Sequence, residues 1–461
     1  MLVRDVSSLS THVLAAIGLL GLFNACERDP APVPKKIAAR RSPAAAGGAP
    51  SVARQALAAA GNAGQPALPG SSEFAAALGN IKAFTAASDQ PVKVQYIEER
   101  YDSKNQFDIG KNRFKAVKAA AYHVCAALSG VGKDFSLSLY VNGTRESMLA
   151  NSRRGFAEGC RTVNAKANDT LEVWVQQSTG ESVEFNPDPS LDWLTIDVVQ
   201  SLVSLGDIDA FSAPPSTFTK VPYAAKHSDP ENLFDAKSHR FTAGAPGDYH
   251  VCAALTSGST DFELDMSING NRENAFAVSS RGAASGCRTV RLSKGQYLEV
   301  SAHQGGAAPL AFAPSRIGNW LTIDKASSGV AANLSLDNSN ALTVPPGTFV
   351  KVPYVNKTYD DANQYDLATS RFTALAPDDY RVCASLAPLK HDFELDLYVN
   401  GVRDKAIAAS NFGVGNGCRT VRLPRSGDFV EVWVKQAGEA PATFDANQFW
   451  NWLTIEPLGT M

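Results

Sequence analysis

One unit is written three times along this chain, and that limits the fold more than any other feature. Tyr122-His-Val-Cys-Ala-Ala-Leu128 returns as Tyr249-His-Val-Cys-Ala-Ala-Leu255 and again as Tyr380-Arg-Val-Cys-Ala-Ser-Leu386. Gly159-Cys-Arg-Thr-Val163 returns at Gly286–Val290 and Gly417–Val421, and Trp193-Leu-Thr-Ile196 at Trp320–Ile323 and Trp452–Ile455. The offsets are 127 and then 131 residues, with 132 for the last motif. A solenoid repeat is far shorter, and a unit of this length is large enough for its own core. The sequence therefore predicts three domains, at 78–197, 205–325 and 336–458, with short joints near 197–206 and 324–337.

Each unit reads as antiparallel β. Phe393-Glu-Leu-Asp-Leu-Tyr-Val399 alternates apolar and polar residues, which puts Phe393, Leu395, Leu397 and Val399 on one face of a strand. Asn400-Gly401 follows, a hairpin signal because both turn positions require positive φ. The same strand and turn occur at Phe135–Gly143 and Phe262–Gly270. No unit contains a sustained helical period, so the expected class is all-β, with three tandem jelly-roll sandwiches.

The cysteines follow the same template. Cys125/Cys160, Cys252/Cys287 and Cys383/Cys418 are each 35 residues apart, which predicts one disulfide per unit. Two sulfurs per unit without a repeated His would make a poor zinc site. Alternation puts Tyr249, Val251, Ala253 and Leu255 on one face and Cys252 on the other. Cys287 and Trp320 likewise point away from Val290 and from Leu321 and Ile323. Cys, Cys and Trp should therefore gather opposite the aliphatic core.

The seventh cysteine, Cys26, stands apart. It follows an eleven-residue apolar run at 13–23, too short to span a bilayer but suited to a signal-peptide core. Asn24-Ala25-Cys26 resembles the lipobox of bacterial lipoproteins, in which the cysteine carries the lipid. An ordinary secretory signal followed by an unmodified Cys is the alternative. Residues 31–70 hold 14 Ala, 6 Pro and 5 Gly and no aromatic residue, so 27–77 reads as a disordered, solvated tether.

Taken together, the unit resembles the globular head of complement component 1q, within the tumour necrosis factor-like jelly rolls. The resemblance is carried by Ala210-Phe-Ser-Ala213, Val352-Pro-Tyr354, Tyr359–Asp366, Arg371-Phe-Thr-Ala374, Pro246-Gly-Asp-Tyr249 and the Tyr-Val-Asn-Gly turn. It implies ten-stranded jelly rolls that assemble as trimers and bind proteins, pathogen surfaces or other ligands. Three copies in one chain then imply an intrachain pseudo-trimer, with Trp193, Trp320 and Trp452 facing neighbouring modules. Separate beads on a string, the tryptophans merely covering disulfides, is the other arrangement. The first unit departs most, because Phe114-Lys-Ala-Val-Lys-Ala-Ala-Ala-Tyr122 lacks the Pro-Gly. The repeated cysteine pair is not a general family feature.

Little in the sequence speaks for catalysis. Of seven His, only His123 and His250 coincide between units, Arg381 replaces them in the third, and surface alternation accounts for them. No nucleophile-elbow, zincin, Walker or dinucleotide motif accompanies the repeats. Asp102, Asp229 and Asp360 recur ahead of the first core strands, followed six residues on by Asp108, Asp235 and Asp366. They are the candidates for calcium, against the simpler role of Asp in stabilising turns. Asp261, Glu263 and Asp265, with Asp392, Glu394 and Asp396, read as a solvated acidic face. A net charge of −3 argues against nucleic acid.

The sequence-based expectation is a non-enzymatic, exported, lipid-anchored binding or adhesion protein for protein or glycan ligands. It meets the outer membrane or cell surface through its N-terminal lipid only and needs no cofactor. A structural envelope or matrix component is the alternative.

Overall fold

The computed structural model describes residues 74–459 apart from short stretches at 103, 153–154, 178–179, 280–281, 327–333, 388–390, 411–412 and 437. Cys26 and the tether to residue 73 lie outside the described residues. No α-helix occurs among the described residues, and none is long and apolar enough to cross a membrane.

The protein is all-β and built as tandem jelly-roll sandwiches. In the first module the inner sheet runs Tyr96–Tyr101, Phe74–Ile81, Trp193–Ile208, Ala120–Ser129, Phe156–Ala165. The outer sheet runs Phe107–Asp108, Arg113–Lys115, Thr170–Gln176, Ser136–Val141, Thr144–Asn151. The other two modules repeat this strand order. The alternation read from the sequence decides which face is core. Tyr122, Val124, Ala126 and Leu128 pack between the sheets of module one, with Leu137, Leu139, Val173 and Val175. Burying each large aliphatic side chain is worth about 1.5–3 kcal/mol, and each module has such a cluster.

Local chemistry accounts for the recurrent motifs. Asn142, Asn269 and Asn400 all have φ of 52°, and Gly143, Gly270 and Gly401 follow at 76–80°, so the Asn-Gly pairs form the hairpin turns. The Gly of the Gly-Cys-Arg-Thr-Val motif has a different cause. A Cβ on Gly159, Gly286 or Gly417 would meet the carbonyl oxygen of Leu149, Phe276 or Ile407 at 1.8–2.2 Å. Only glycine lets the inner-sheet edge strand approach the outer-sheet edge strand there. The first module turns as the others do despite lacking Pro-Gly. Tyr122 donates its hydroxyl to Lys118 O at 2.9 Å, as Tyr249 does to Ala245 O and Tyr380 to Ala376 O.

Two features differ from the sequence-based boundaries. The first strand is Phe74–Ile81, so the first module begins inside the stretch read as tether. Its Ala75, Ala76 and Ala77 are buried, and their small side chains make the strand look like the Ala-rich tether in composition. The joint expected at 197–206 is not a loop. Trp193–Ile208 is one continuous strand of 16 residues. Its first half pairs with Ala120–Ser129 of module one and its second half with Trp320–Lys325 of module two. Val198, Val199, Leu202 and Val203 favour extended backbone, and no Gly or Pro interrupts the run before Gly206. A register shift between Ser201 and Val203 marks the handover between modules. The described strands of all three modules fall in one compact unit.

Candidate functional site

The faces opposite the three cores meet one another. Cys125, Cys160, Trp193, Cys252, Cys287, Trp320, Cys383, Cys418 and Trp452 are all buried in a single cluster. The paired cysteines lie directly opposite on adjacent strands, and all three disulfides are formed.

The contacts between modules are cyclic. Trp193 of module one donates its indole Nε1–H to Ala406 O of module three at 2.8 Å. Trp320 of module two donates to Met148 O of module one, and Trp452 of module three to Ala275 O of module two, each at 3.1 Å. Met148, Ala275 and Ala406 are equivalent positions. Their amides donate back to Ile317, Phe449 and Ser190 carbonyls of the same neighbours. The arginine of the Gly-Cys-Arg-Thr-Val motif covers the neighbour's indole. The guanidinium of Arg161 lies over Trp320 and that of Arg288 over Trp452, each 5.1 Å from the ring centre, and Arg419 lies over Trp193 at 5.4 Å. These are desolvated cation–π pairs, and each module gives one and receives one.

At the centre of this cycle lies a buried ionisable cluster. Each module supplies one basic residue and, in register on the next strand, one acid: His123 with Asp197, His250 with Asp324, Arg381 with Glu456. Each acid accepts from a threonine of another module. Thr162 donates to Asp324, Thr289 to Glu456 at 3.1 Å, and Thr420 to Asp197 at 2.6 Å. Arg381 pairs with Glu456 at 2.7 Å and lies 3.8 Å from Asp197. His123 approaches Asp324 at 3.9 Å and His250 approaches Glu456 at 3.5 Å. The two imidazoles stand edge to face with centres 5.0 Å apart. All six side chains are at most 2% exposed. Burial pushes the Asp197 and Asp324 carboxyls up to about 7 and raises that of Glu456, against the pull of Arg381. Burial, then Arg381, holds both imidazoles well below the ordinary histidine range.

Four sequence expectations meet the structure here. His123 and His250 are not surface residues; they sit at the module junction, because the face opposite the core is buried by the other modules. Their Nε2 atoms lie 3.1 and 3.3 Å from Cys125 and Cys252 Sγ, but those sulfurs are bonded in disulfides and offer no thiolate. Asp102, Asp229 and Asp360 are turn residues. Asp102 accepts from the amides of Gln106 and Phe107, Asp229 from Leu233 and Phe234, and Asp360 from Gln364 and Tyr365. Lys226 and Lys357 also bond Asp229 and Asp360, each at 2.7 Å. The acidic face is only partly solvated. Asp265 and Asp396 are buried beneath Arg272 and Arg403, which bridge them to Glu263 and Glu394.

The sequence reading missed the acids of the junction. A signal was present, because every Trp-Leu-Thr-Ile motif is followed by Asp197, Asp324 or Glu456. It also missed an outward-facing feature of the outer sheets. Tyr140 stacks with Trp174, and Tyr398 packs against Trp433 with its ring tilted by 33°, each pair with ring centres 4.9 Å apart and all four rings half-buried. Lys93 and Lys351 reach over the two indoles at 5.4 Å. In module two Ser267 and Ser301 take these places, and Phe218, 45% exposed, stacks on His303 instead.

No family model matches the chain, and no curated protein matches it. Among solved structures, a triple jelly-roll protein of an archaeal virus turret assembly aligns over 83% of this chain and 91% of its own, at 11% identity and a TM-score of 0.16. A structure of the M60 catalytic domain with two CBM51 domains from Clostridium perfringens ZmpB aligns over 84% of this chain and 38% of its own, at 9% identity and a TM-score of 0.17. Likeness at this level carries no argument about ligand or activity.

Proposed function

We propose that the chain is an exported, non-enzymatic binding head of the complement-1q-like type, with three modules joined in one chain where the family uses three chains. The observation that carries this reading is the outward placement of the aromatic groups. Trp193, Trp320 and Trp452 are spent on holding modules together, whereas Tyr140–Trp174, Tyr398–Trp433 and Phe218–His303 lie on outer sheets. Large amphipathic rings of this kind give contact area at low entropic cost in recognition surfaces. The histidines and acids of the module junction, His123, His250, Asp197, Asp324 and Glu456, are sealed from substrate. Disulfides suit an extracellular or periplasmic setting, and Cys26 supplies the lipid anchor.

The test is binding of the full chain in mild detergent to arrayed glycans and to purified surface proteins. Saturable binding to a defined ligand, weakened at least about tenfold in Trp174→Ala/Trp433→Ala, supports the reading. Self-association without any saturable ligand would replace it with the structural envelope role.

A further inference from the structure

Charge balance at the junction is unusual. Three carboxylates, Asp197, Asp324 and Glu456, face one permanently charged group, Arg381, in a space closed on every side by protein. Nearby charges from flanking strands do not redress this, since Asp248 is paired with Arg291 and Asp379 with Arg422, and Glu158, which accepts from the Cys418 amide at 3.3 Å beside the disulfides, is a further acid that burial pushes well toward its neutral form. Tyr359, which faces Asp248 and Glu456, is held neutral by burial. A buried net charge of two is strongly unfavourable. The two remaining basic positions are His123 and His250, the only ones of the six side chains besides the carboxylates that can change charge.

We propose that the module junction is a binding site for two protons, which closes the three-module ring while they are bound and weakens it when they leave. The protons are shared among His123, His250, Asp197, Asp324 and Glu456. Whether an imidazolium faces a carboxylate or a neutral imidazole faces a carboxylic acid, the number of protons is the same. Thr162, Thr289 and Thr420 serve either arrangement, because a hydroxyl can donate to a carboxylate or accept from a carboxylic acid. Each acid is bonded across a module boundary, so losing the protons sets like charges against each other at the seam.

The sign follows from proton counts. The unfolded chain carries two protons on these groups between about pH 4.5 and 6, on its histidines, and none above about pH 7.5. The folded junction holds two in the lower range, so its contribution there is flat. Above about pH 6.5 the folded state binds more protons than the unfolded state, and stability falls as pH rises. In the Asp197→Asn/Asp324→Asn variant, Glu456 balances Arg381 and the folded junction needs no protons. Its stability instead rises with pH up to about 6.5 and then levels.

The experiment is thermal unfolding of the full chain and of this variant from pH 5 to 8. The variant should gain steadily on the wild type as pH rises, by about 5 °C or more over the range. Parallel curves would overturn the proposal. Should the variant not fold, the wild type still decides. At pH 6 its native state must show either a buried carboxylic-acid infrared band or protonated-imidazole signals by NMR, fading toward pH 9. Finding neither would overturn the proposal.

Discussion

At the scale of single residues, the three tryptophans of the Trp-Leu-Thr-Ile motif act as hooks. Each is fully buried, donates to a carbonyl of a neighbouring module and lies under that module's arginine. Trp320→Phe leaves Met148 O without its donor and removes the better cation–π partner of Arg161. Its expected cost is about 2–4 kcal/mol in urea unfolding. Val402→Ala, at a position 69% exposed, should stay within about 0.5 kcal/mol. The aspartates put forward for calcium behave differently. Asp102, Asp229 and Asp360 already accept from backbone amides, which is the turn-stabilising role. Excess calcium and excess chelator should therefore give the same melting temperature, within about 1 °C. A calcium-dependent rise beyond that would return these residues to a metal role.

At the scale of elements, the disulfides and the shared strand carry the most consequence. Each disulfide closes a loop of 35 residues. Replacing Cys252 and Cys287 together by Ala should cost about 3–4 kcal/mol by denaturant unfolding under oxidising conditions. The strand Trp193–Ile208 splices the inner sheets of the first two modules into one nine-stranded sheet. A short Gly-Ser insert between Val199 and Gln200 should lower the melting temperature while calorimetry still shows one transition, because the tryptophan contacts continue to join the modules. Much of this level was legible in the sequence. Alternation placed Phe393–Val399 and its Asn-Gly turn, and it placed the cysteines and tryptophans on the face opposite the core. The shared strand was not legible, because an apolar run read against an expected joint carries no mark of which partners it will pair with. Phe74–Ile81 was hidden for a related reason, since three alanines fit a tether and a tightly packed strand equally well. His123 and His250 were misplaced because alternation says only that a face is not the module's own core. It does not say that another module will cover it.

At the scale of the whole three-module unit, the repeat explains the symmetry and its imperfections explain the chemistry. Equivalent positions make equivalent contacts around the ring, yet one basic column reads His, His, Arg and its acidic partner reads Asp, Asp, Glu. A trimer of identical chains could not vary these positions one at a time; a single chain can. The same freedom leaves module two without the Tyr–Trp pair of its neighbours, so its outer sheet should contribute least to binding. The modules form one closed body, with the tryptophans, disulfides and ionisable cluster at its centre. Small-angle scattering from residues 65–461 tests it most directly. A closed unit of this length predicts a radius of gyration of about 21 Å and a single-peaked distance distribution. A radius of about 30 Å with separate lobes would contradict it.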